Sequence, residues 1–158
     1  MKGITGYVLL VFSGAMLVTA CTAAIGVFEK DVTFPRQEWT AANTPSFTFN
    51  ITDTTAAYMI YVVLRHTDAY NYNNIWLKFT RSGPDTTYSQ PVDLRLANNA
   101  QGWLGNGMDD IWEHRIPLTA GPEHFRRSGQ YVFSLAQIMR QDPLQHVLNA
   151  GIRVEKQP

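Results

Sequence analysis

The sequence predicts an all-β protein: an antiparallel two-sheet β-sandwich that follows an N-terminal lipoprotein signal peptide. Residues 27–158 contain about eight short runs in which apolar and polar residues alternate, which is the period of strands that bury one face. No segment carries the long 3.6-residue period of the helices that connect parallel strands. These observations favour a sandwich, and at this stage a jelly-roll order and an immunoglobulin-like order of the strands are both open.

Residues 1–20 have the pattern of a secretory signal peptide. Lys2 supplies the positive start, residues 4–17 form an apolar stretch, and the small residue Ala20 precedes Cys21. The apolar stretch is shorter than the roughly 20 residues that a membrane-spanning helix needs. We therefore expect residues 1–20 to be removed from the mature protein.

Cys21 is the only cysteine of the chain, and it stands where a lipobox requires a thiol. The preceding Val18, Thr19 and Ala20 complete that motif, so we expect a diacylglyceryl thioether on the sulfur and an N-linked acyl chain such as palmitate. Two or three acyl chains anchor a protein stably, whereas one holds only marginally. Residues 21–26 are predicted to be the lipidated tether and residues 27–158 the β-sandwich domain. A free or buried thiol is the alternative.

The predicted strands, in chain order, are Val27–Phe34, Phe47–Ile51, Tyr58–Leu64, Ile75–Phe79, Val92–Leu96, Trp112–Leu118, Tyr131–Leu135 and Leu148–Val154. In most of these runs the apolar residues occupy only every second position. Tyr58–Leu64 has β-branched and aromatic residues at both parities, which predicts a central strand buried on both faces. Turn-forming residues separate the runs at positions 53–55, 82–85 and 128–129.

Two features near the C-terminus depart from this pattern. Residues 136–141 are predicted to form a turn or two of helix, which ends before Pro143 because a residue that precedes proline disfavours the α conformation. Gly151 lies inside the last apolar run, where a glycine often marks a β-bulge.

The segment Gly102–Arg115 has the densest group of side chains that are suited to catalysis or ligand binding. Its carboxylates belong to Asp109, Asp110 and Glu113, and its indoles to Trp103 and Trp112. A glycosidase needs two carboxylates held across a sugar that stacks on aromatic rings, and the composition fits that loosely. The favoured interpretation is a structured loop whose carboxylates accept backbone N–H groups and pair with Arg115.

A second polar group follows the predicted central strand. It contains His66, Asp68, Tyr70 and Tyr72. His66, Asp68 and the more distant His114 are residue types that bind metals, but their spacing matches no zinc motif, so no metal site is predicted. Tyr70 and Tyr72 could stack on a sugar or, equally, fill a protein interface, where tyrosine is enriched.

Charge excludes further function classes. Residues 1–20 hold one lysine and no acid, so the mature chain has 12 basic and 13 acidic side chains. This balance offers no electrostatic basis for nucleic-acid binding. The sequence also lacks the nucleophile elbow, the phosphate-binding glycine loop and the HExxH motif. We therefore expect a protein that is not an enzyme and has no cofactor other than the lipid on Cys21.

Several strings of the mature chain are unusual enough to indicate a family. They are Leu64–Tyr70, Tyr72–Leu77, Gly102–Gly105, Gly107–Ile111, Glu113–Arg115, Ile138–Arg140, Asp142–Leu144 and Gly151–Val154. Together with the lipobox cysteine they resemble the gliding motility lipoprotein GldH family of the Bacteroidetes. The resemblance implies an outer-membrane lipoprotein that serves the gliding apparatus or the related type IX secretion machinery, with no established catalytic activity.

The leading expectation is therefore a non-catalytic envelope component that acts through protein contacts. The predicted interaction surface consists of His66, Asp68, Tyr70, Tyr72, Trp103, Asp109, Asp110 and Glu113. The alternative is a saccharide-binding module that uses Tyr70, Tyr72, Trp76, Trp103 and Trp112, and a glycan hydrolase with the three acids of the glycine-rich segment ranks third. By resemblance to the sorting rules of other lipoproteins, the neutral Thr22 in the second mature position favours the outer membrane with the domain facing the periplasm; surface display is the alternative.

Overall fold

A computed structural model describes residues 26–158, so the predicted signal peptide (1–20), Cys21 and the tether up to residue 25 lie outside the described residues. The strands are β1 (Val27–Thr33), β2 (Glu38–Trp39), β3 (Ser46–Ile51), β4 (Ala57–Thr67), β5 (Asn74–Ser82), β6 (Thr87–Arg95), β7 (Ala97–Asn98), β8 (Gly102–Trp103), β9 (Asn106–Met108), β10 (Ile111–Pro117), β11 (Glu123–His124), β12 (Gly129–Gln137), β13 (Leu144–Gln145) and β14 (Val147–Lys156). A single 3-10 turn, Pro35–Gln37, follows β1.

The long strands form two antiparallel sheets. One sheet has the order β1-β14-β4-β10-β9, with β11 also paired to β4, and the other has the order β3-β12-β5-β6. The eight long strands are β1, β3, β4, β5, β6, β10, β12 and β14. Numbered 1 to 8 along the chain, they have the order 1-8-3-6 in the larger sheet and 2-7-4-5 in the smaller sheet. That is the jelly-roll order, so the structure resolves the alternative that the sequence left open.

Strand β4 is the central strand of the larger sheet, as predicted. It pairs along its length with β14 on one side and with β10 on the other. Ile60, Val62 and Leu64 on its core side are fully buried, and Val63 on its opposite side is also buried. The neighbouring outer positions Met59 and Tyr61 are half-buried, so burial on the outer face is partial.

The core lies between the two sheets and is rich in aromatic rings. Phe133 of β12 packs against Phe49 at a centroid distance of 5.6 Å and stacks on Phe79 at 5.9 Å. Phe125 packs edge-on against Tyr58 and Tyr131 at 5.3 and 4.5 Å. Since no disulfide can form in a chain with one cysteine, this packing provides the stability of the domain.

The two ends of the sandwich are about 33 Å apart, because β4 runs for 11 residues at about 3.3 Å per residue. At the first end, called here the N-terminal end, the Gly26 carbonyl accepts a hydrogen bond from the Lys156 N–H, and the 52–56, 83–86 and 118–128 loops lie there. At the opposite end, called the far end, the 68–73 loop after β4 meets the β9–β10 turn.

Two sequence predictions near the C-terminus are wrong. Residues 136–141 form no α-helix, because β12 continues to Gln137 and the side-chain amide of Gln137 then organises an irregular loop by accepting the Met139 N–H at 2.9 Å. The bulge of the last strand lies at Leu148, where the register with β4 shifts, and Gly151 is paired in register.

Gly151 is required for another reason. A Cβ at this position would lie 2.5 Å from the Lys30 carbonyl oxygen and 2.6 Å from the Asp31 Cβ of the adjacent strand β1. We expect Gly151→Ala to lower the free energy of unfolding by about 1–3 kcal/mol, measured by urea denaturation, because β1 must shift away from β14. Gly121→Ala is the control, since a Cβ at that position would meet no atom within 4 Å and stability should be unchanged. Equal stabilities of the two variants would contradict the prediction.

Candidate functional site

The far end brings together most of the residues that the sequence singled out. The Asp68 N–H donates a hydrogen bond to the Asp110 carbonyl oxygen at 2.8 Å, which joins the loop after β4 to the β9–β10 turn. The register of β10 with β4 places Trp112 opposite His66 and Glu113 opposite Arg65. The two clusters of the sequence are therefore one site in space.

His66 and His114 form a pair inside this site. They project from neighbouring strands on the core side of the sheet, and their exposed fractions are 0% and 3%. Their Nε2 atoms are 2.9 Å apart and their rings are close to parallel. The His66 Nδ1 lies 2.7 Å from the Thr67 carbonyl oxygen.

The hydrogen-bond partners determine the tautomers of the pair. A carbonyl oxygen only accepts, so the His66 Nδ1 carries a hydrogen and donates it to Thr67. The Nε2 of neutral His66 is then an acceptor, and the His114 Nε2–H donates to it. If a second proton were added to this contact, both Nε2 atoms would carry a hydrogen, and the two N–H groups would repel each other.

Aromatic side chains cover the pair and exclude water. The Trp103 ring lies edge-on to His66 at a centroid distance of 4.4 Å, and the Tyr70 ring lies 5.1 Å from it. Burial lowers the pKa of His66, and burial together with the neighbouring His66 ring lowers the pKa of His114 to about 4. Both imidazoles are therefore neutral at physiological pH, and they act as a polar part of the core.

This burial corrects part of the predicted interaction surface. His66 is fully buried and Tyr70 is 4% exposed, with its hydroxyl donating to the Asn74 carbonyl oxygen at 3.1 Å. Neither side chain can contact a partner directly. A side chain near the end of a strand faces the core whenever its position has the same parity as the buried residues of that strand. Burial on the core face also raises the pKa of Tyr70.

The three carboxylates of the glycine-rich segment have different surroundings. Glu113 on the outer sheet face contacts the Arg65 Nε at 2.7 Å and the Arg115 Nη2 at 2.9 Å. The predicted pairing of a carboxylate with Arg115 is thus present. Asp109 and Asp110 are exposed in the turn, and Asp109 has a φ of 56°, a conformation that aspartate tolerates better than most residues. Glu113 is therefore held by ion pairs, and Asp109 occupies a turn position that suits its residue type.

The β9–β10 hairpin forms one wall of a surface groove of about 460 Å³. The groove is lined by Arg65, Asn106, Gly107, Met108, Ile111, Glu113, Leu148 and Asn149. Met108 at the tip of the hairpin is 75% exposed, the largest exposed fraction among the large apolar side chains of residues 26–158. Trp112 lies on the other side of the sheet from this groove, since it pairs with the core-facing His66. Met108 was not among the residues predicted from the sequence, although an apolar residue next to two aspartates in a turn is a usable signal.

The aromatic residues of the saccharide alternative do not form a common platform. Tyr70 is buried, and its ring is inclined by 68° to that of Tyr72 and by 52° to that of Trp103. Trp76 on β5 and Trp112 on β10 belong to different sheets. Trp76 is 42% exposed and, with Tyr72, lines a separate groove of about 460 Å³.

Residues 26–158 contain neither a metal-binding cluster nor a membrane-spanning helix. No group of three or more His, Cys, Asp or Glu side chains in this part of the chain is arranged to hold a metal ion. No helix within the same range is long and apolar enough to cross a membrane.

Comparisons with known proteins agree with the resemblance seen in the strings. The family model described as "GldH lipoprotein" matches residues 26–154. A "Gliding motility lipoprotein GldH homolog" of Christiangramia forsetii is 25% identical over 127 residues, covering 75% of this chain and 78% of that protein. "Gliding motility lipoprotein GldH" of Flavobacterium johnsoniae is 25% identical over 126 residues, covering 75% and 77%.

A crystal structure of dimeric latent PorU from Porphyromonas gingivalis aligns with 84% of this chain and 13% of its own length. The TM-score is 0.36 and the sequence identity is 10%. These values are too low for the alignment to bear on fold or function.

The buried histidine pair predicts that acid destabilises the domain. In the unfolded chain the imidazoles bind protons below about pH 6.5, whereas in the folded domain their lowered pKa values keep them neutral to lower pH. The free energy of unfolding therefore falls as the pH is lowered toward 4. From His114 alone we expect a loss of about 2–3 kcal/mol between pH 7 and 4.5, measured by urea denaturation with tryptophan fluorescence. His114→Gln should flatten this dependence, and His124→Gln, at an exposed position, should retain it. A wild-type profile that is level over this range would contradict the assignment.

Proposed function

Because the chain belongs to the GldH lipoprotein family, we propose that it is a membrane-anchored, non-catalytic component of the gliding motility or envelope secretion machinery. The single observation that carries this proposal is the family match, which extends over residues 26–154 and so includes nearly the whole sandwich. The two curated relatives carry the name gliding motility lipoprotein, which supports a role in motility.

The anchor in this proposal is Cys21. A diacylglyceryl thioether and an N-linked acyl chain on this residue hold the mature protein in the outer membrane, with the domain facing the periplasm. Four residues lie between Cys21 and Gly26, so the five Cα–Cα steps that join them reach at most about 18 Å. The domain therefore stays close to the bilayer surface.

The partner in this proposal is another protein of the envelope, and it binds at the far end. The contact surface consists of the exposed parts of the predicted set, Asp68, Tyr72, Trp103, Asp109, Asp110 and Glu113, together with Met108. An exposed apolar side chain beside a groove, with charged residues at its rim, has the anatomy of a protein interface. Two features favour contact over catalysis: the histidines are hidden, and Glu113 is held by two arginines.

Saccharide binding is the second candidate, and Trp76 is the observation that favours it. Its exposed indole lies in a groove with Tyr72, Met139 and Arg140, so that apolar and polar groups are within reach of one ligand. The jelly-roll order adds nothing to this candidate, because a fold shared by many proteins does not determine function.

The protein-contact proposal predicts that Met108→Ser lowers recovery of the partner. We expect crosslinking in cells, followed by pull-down of the tagged lipoprotein, to enrich one envelope protein, and Met108→Ser to reduce that enrichment at least about fivefold because a central apolar contact is lost. Phe28→Ser, which removes another exposed apolar side chain at the N-terminal end, is the matched control and should leave recovery unchanged. Cys21→Ala should lose the partner through loss of the anchor.

The saccharide candidate makes a separate prediction. If the groove beside β5 binds glycans, the protein should sediment with peptidoglycan or envelope polysaccharide, and Trp76→Ala should weaken this binding at least about fivefold because stacking on the indole is lost. Trp112→Ala, on the other sheet, should not. Recovery of polysaccharide alone, with no protein enriched above the unanchored control, would replace the protein-contact proposal with this one.

A further inference from the structure

The exposed charges of the domain are unequally distributed between its two ends. Asp68, Asp109 and Asp110 are exposed at the far end. They outnumber the exposed Arg95 and Arg140 on that side, and no salt bridge within residues 26–158 engages any of the five. Arg126 and Arg127 are exposed at the N-terminal end, likewise without a salt bridge in this part of the chain. The overall charge balance of the chain conceals this polarity.

Carboxylates at the N-terminal end are already engaged within the domain. Asp53 binds the Lys156 Nζ at 2.7 Å, and Glu123 binds the Nη1 of the buried Arg81 at 2.6 Å. Asp85 is buried beside the same guanidinium and accepts the Arg126 backbone N–H at 3.1 Å. Because Asp85 and Glu123 share the single guanidinium of Arg81, one carboxylate charge is in excess there, and the two exposed side chains of Arg126 and Arg127 outweigh it.

The chain course brings this end to the bilayer. Gly26 is hydrogen-bonded to Lys156, and Lys156 pairs in turn with Tyr58, the residue that β11 also contacts through Glu123. The loop that carries Arg126 and Arg127 follows β11 directly.

We propose that the N-terminal end of the sandwich is a membrane-facing surface on which Arg126 and Arg127 contact the phosphates of anionic phospholipids in the leaflet that holds the anchor. The inference rests on the proposed lipidation of Cys21. The tether limits the gap to about 18 Å, and electrostatic attraction acts within the Debye length of about 8–10 Å. An inverted domain would bring the acidic far end within this length of the same leaflet, which repels it, so both ends favour an upright domain that presents Met108 away from the bilayer.

Hydrogen exchange on vesicles tests this orientation. The mature lipoprotein is reconstituted into vesicles of phosphatidylcholine alone or with about one third phosphatidylglycerol, and exchange is followed by mass spectrometry. Because each arginine near an anionic surface strengthens binding about fivefold, we expect amides of residues 118–128 to exchange at least about fivefold more slowly on the anionic vesicles. Residues 68–74 and 104–110 should exchange equally on both. High salt should remove the difference.

Arg126→Gln/Arg127→Gln should abolish the lipid-dependent protection. Arg95→Gln/Arg140→Gln is the matched control, since it removes two exposed arginines remote from the N-terminal end with the same change of charge, and it should retain the protection. Equal protection of residues 118–128 on both kinds of vesicle, protection of the far-end loops, or equal effects of the two double variants would overturn the proposal.

A parallel sample separates this proposal from the proposed anchoring. In it, the Cys21 thiol of unlipidated protein is coupled to a maleimide lipid, which supplies the same point of attachment. If cells fail to acylate Cys21, the proposed anchoring fails, and the coupled sample still tests the orientation by the same exchange pattern.

Discussion

The backbone pairing of β4 with β14 and β10 is the interaction on which the rest of the structure depends. It places the third, sixth and eighth long strands side by side and so establishes the jelly-roll order. It also puts His66 and His114 on one face, where their 2.9 Å contact is sealed by Trp103 and Tyr70. The outer face of the same strands carries Arg65 and Glu113, which explains why neighbouring residues of one segment have opposite surroundings.

The sequence was sufficient to predict the strands because a half-buried strand has a period of two. All eight predicted runs correspond to long strands, and Tyr58–Leu64 is central as its apolar residues at both parities indicated. The short strands, such as β8 and β11, were missed because two residues carry no period. The predicted helix at 136–141 is absent because the Gln137 side chain contacts the distant Trp39 carbonyl oxygen and the nearby Met139 N–H. These contacts outweigh the weak local preference of the segment for a helix.

The candidate site was predicted in part. The sequence marked both segments that meet at the far end, and the contact between Asp68 and Asp110 joins them. It could not assign burial, because His66 and Tyr70 look like loop residues until the register with β10 and β14 is known. Pairing across strands is a long-range property, and so is the distribution of charge between the two ends of the sandwich. The polarity defined by Arg126 and Arg127 therefore emerged only with the fold.

Under the two proposals, the ends of the sandwich have separate tasks: the far end binds a protein, and the N-terminal end faces the bilayer. The most direct test is photocrosslinking in living cells with a photoreactive amino acid at Met108 or at Gly121, whose surroundings are open. We expect a discrete protein adduct from position 108 and lipid adducts, without that protein, from position 121. The same protein adduct from both positions, or lipid adducts from position 108, would show that the ends do not have these separate tasks.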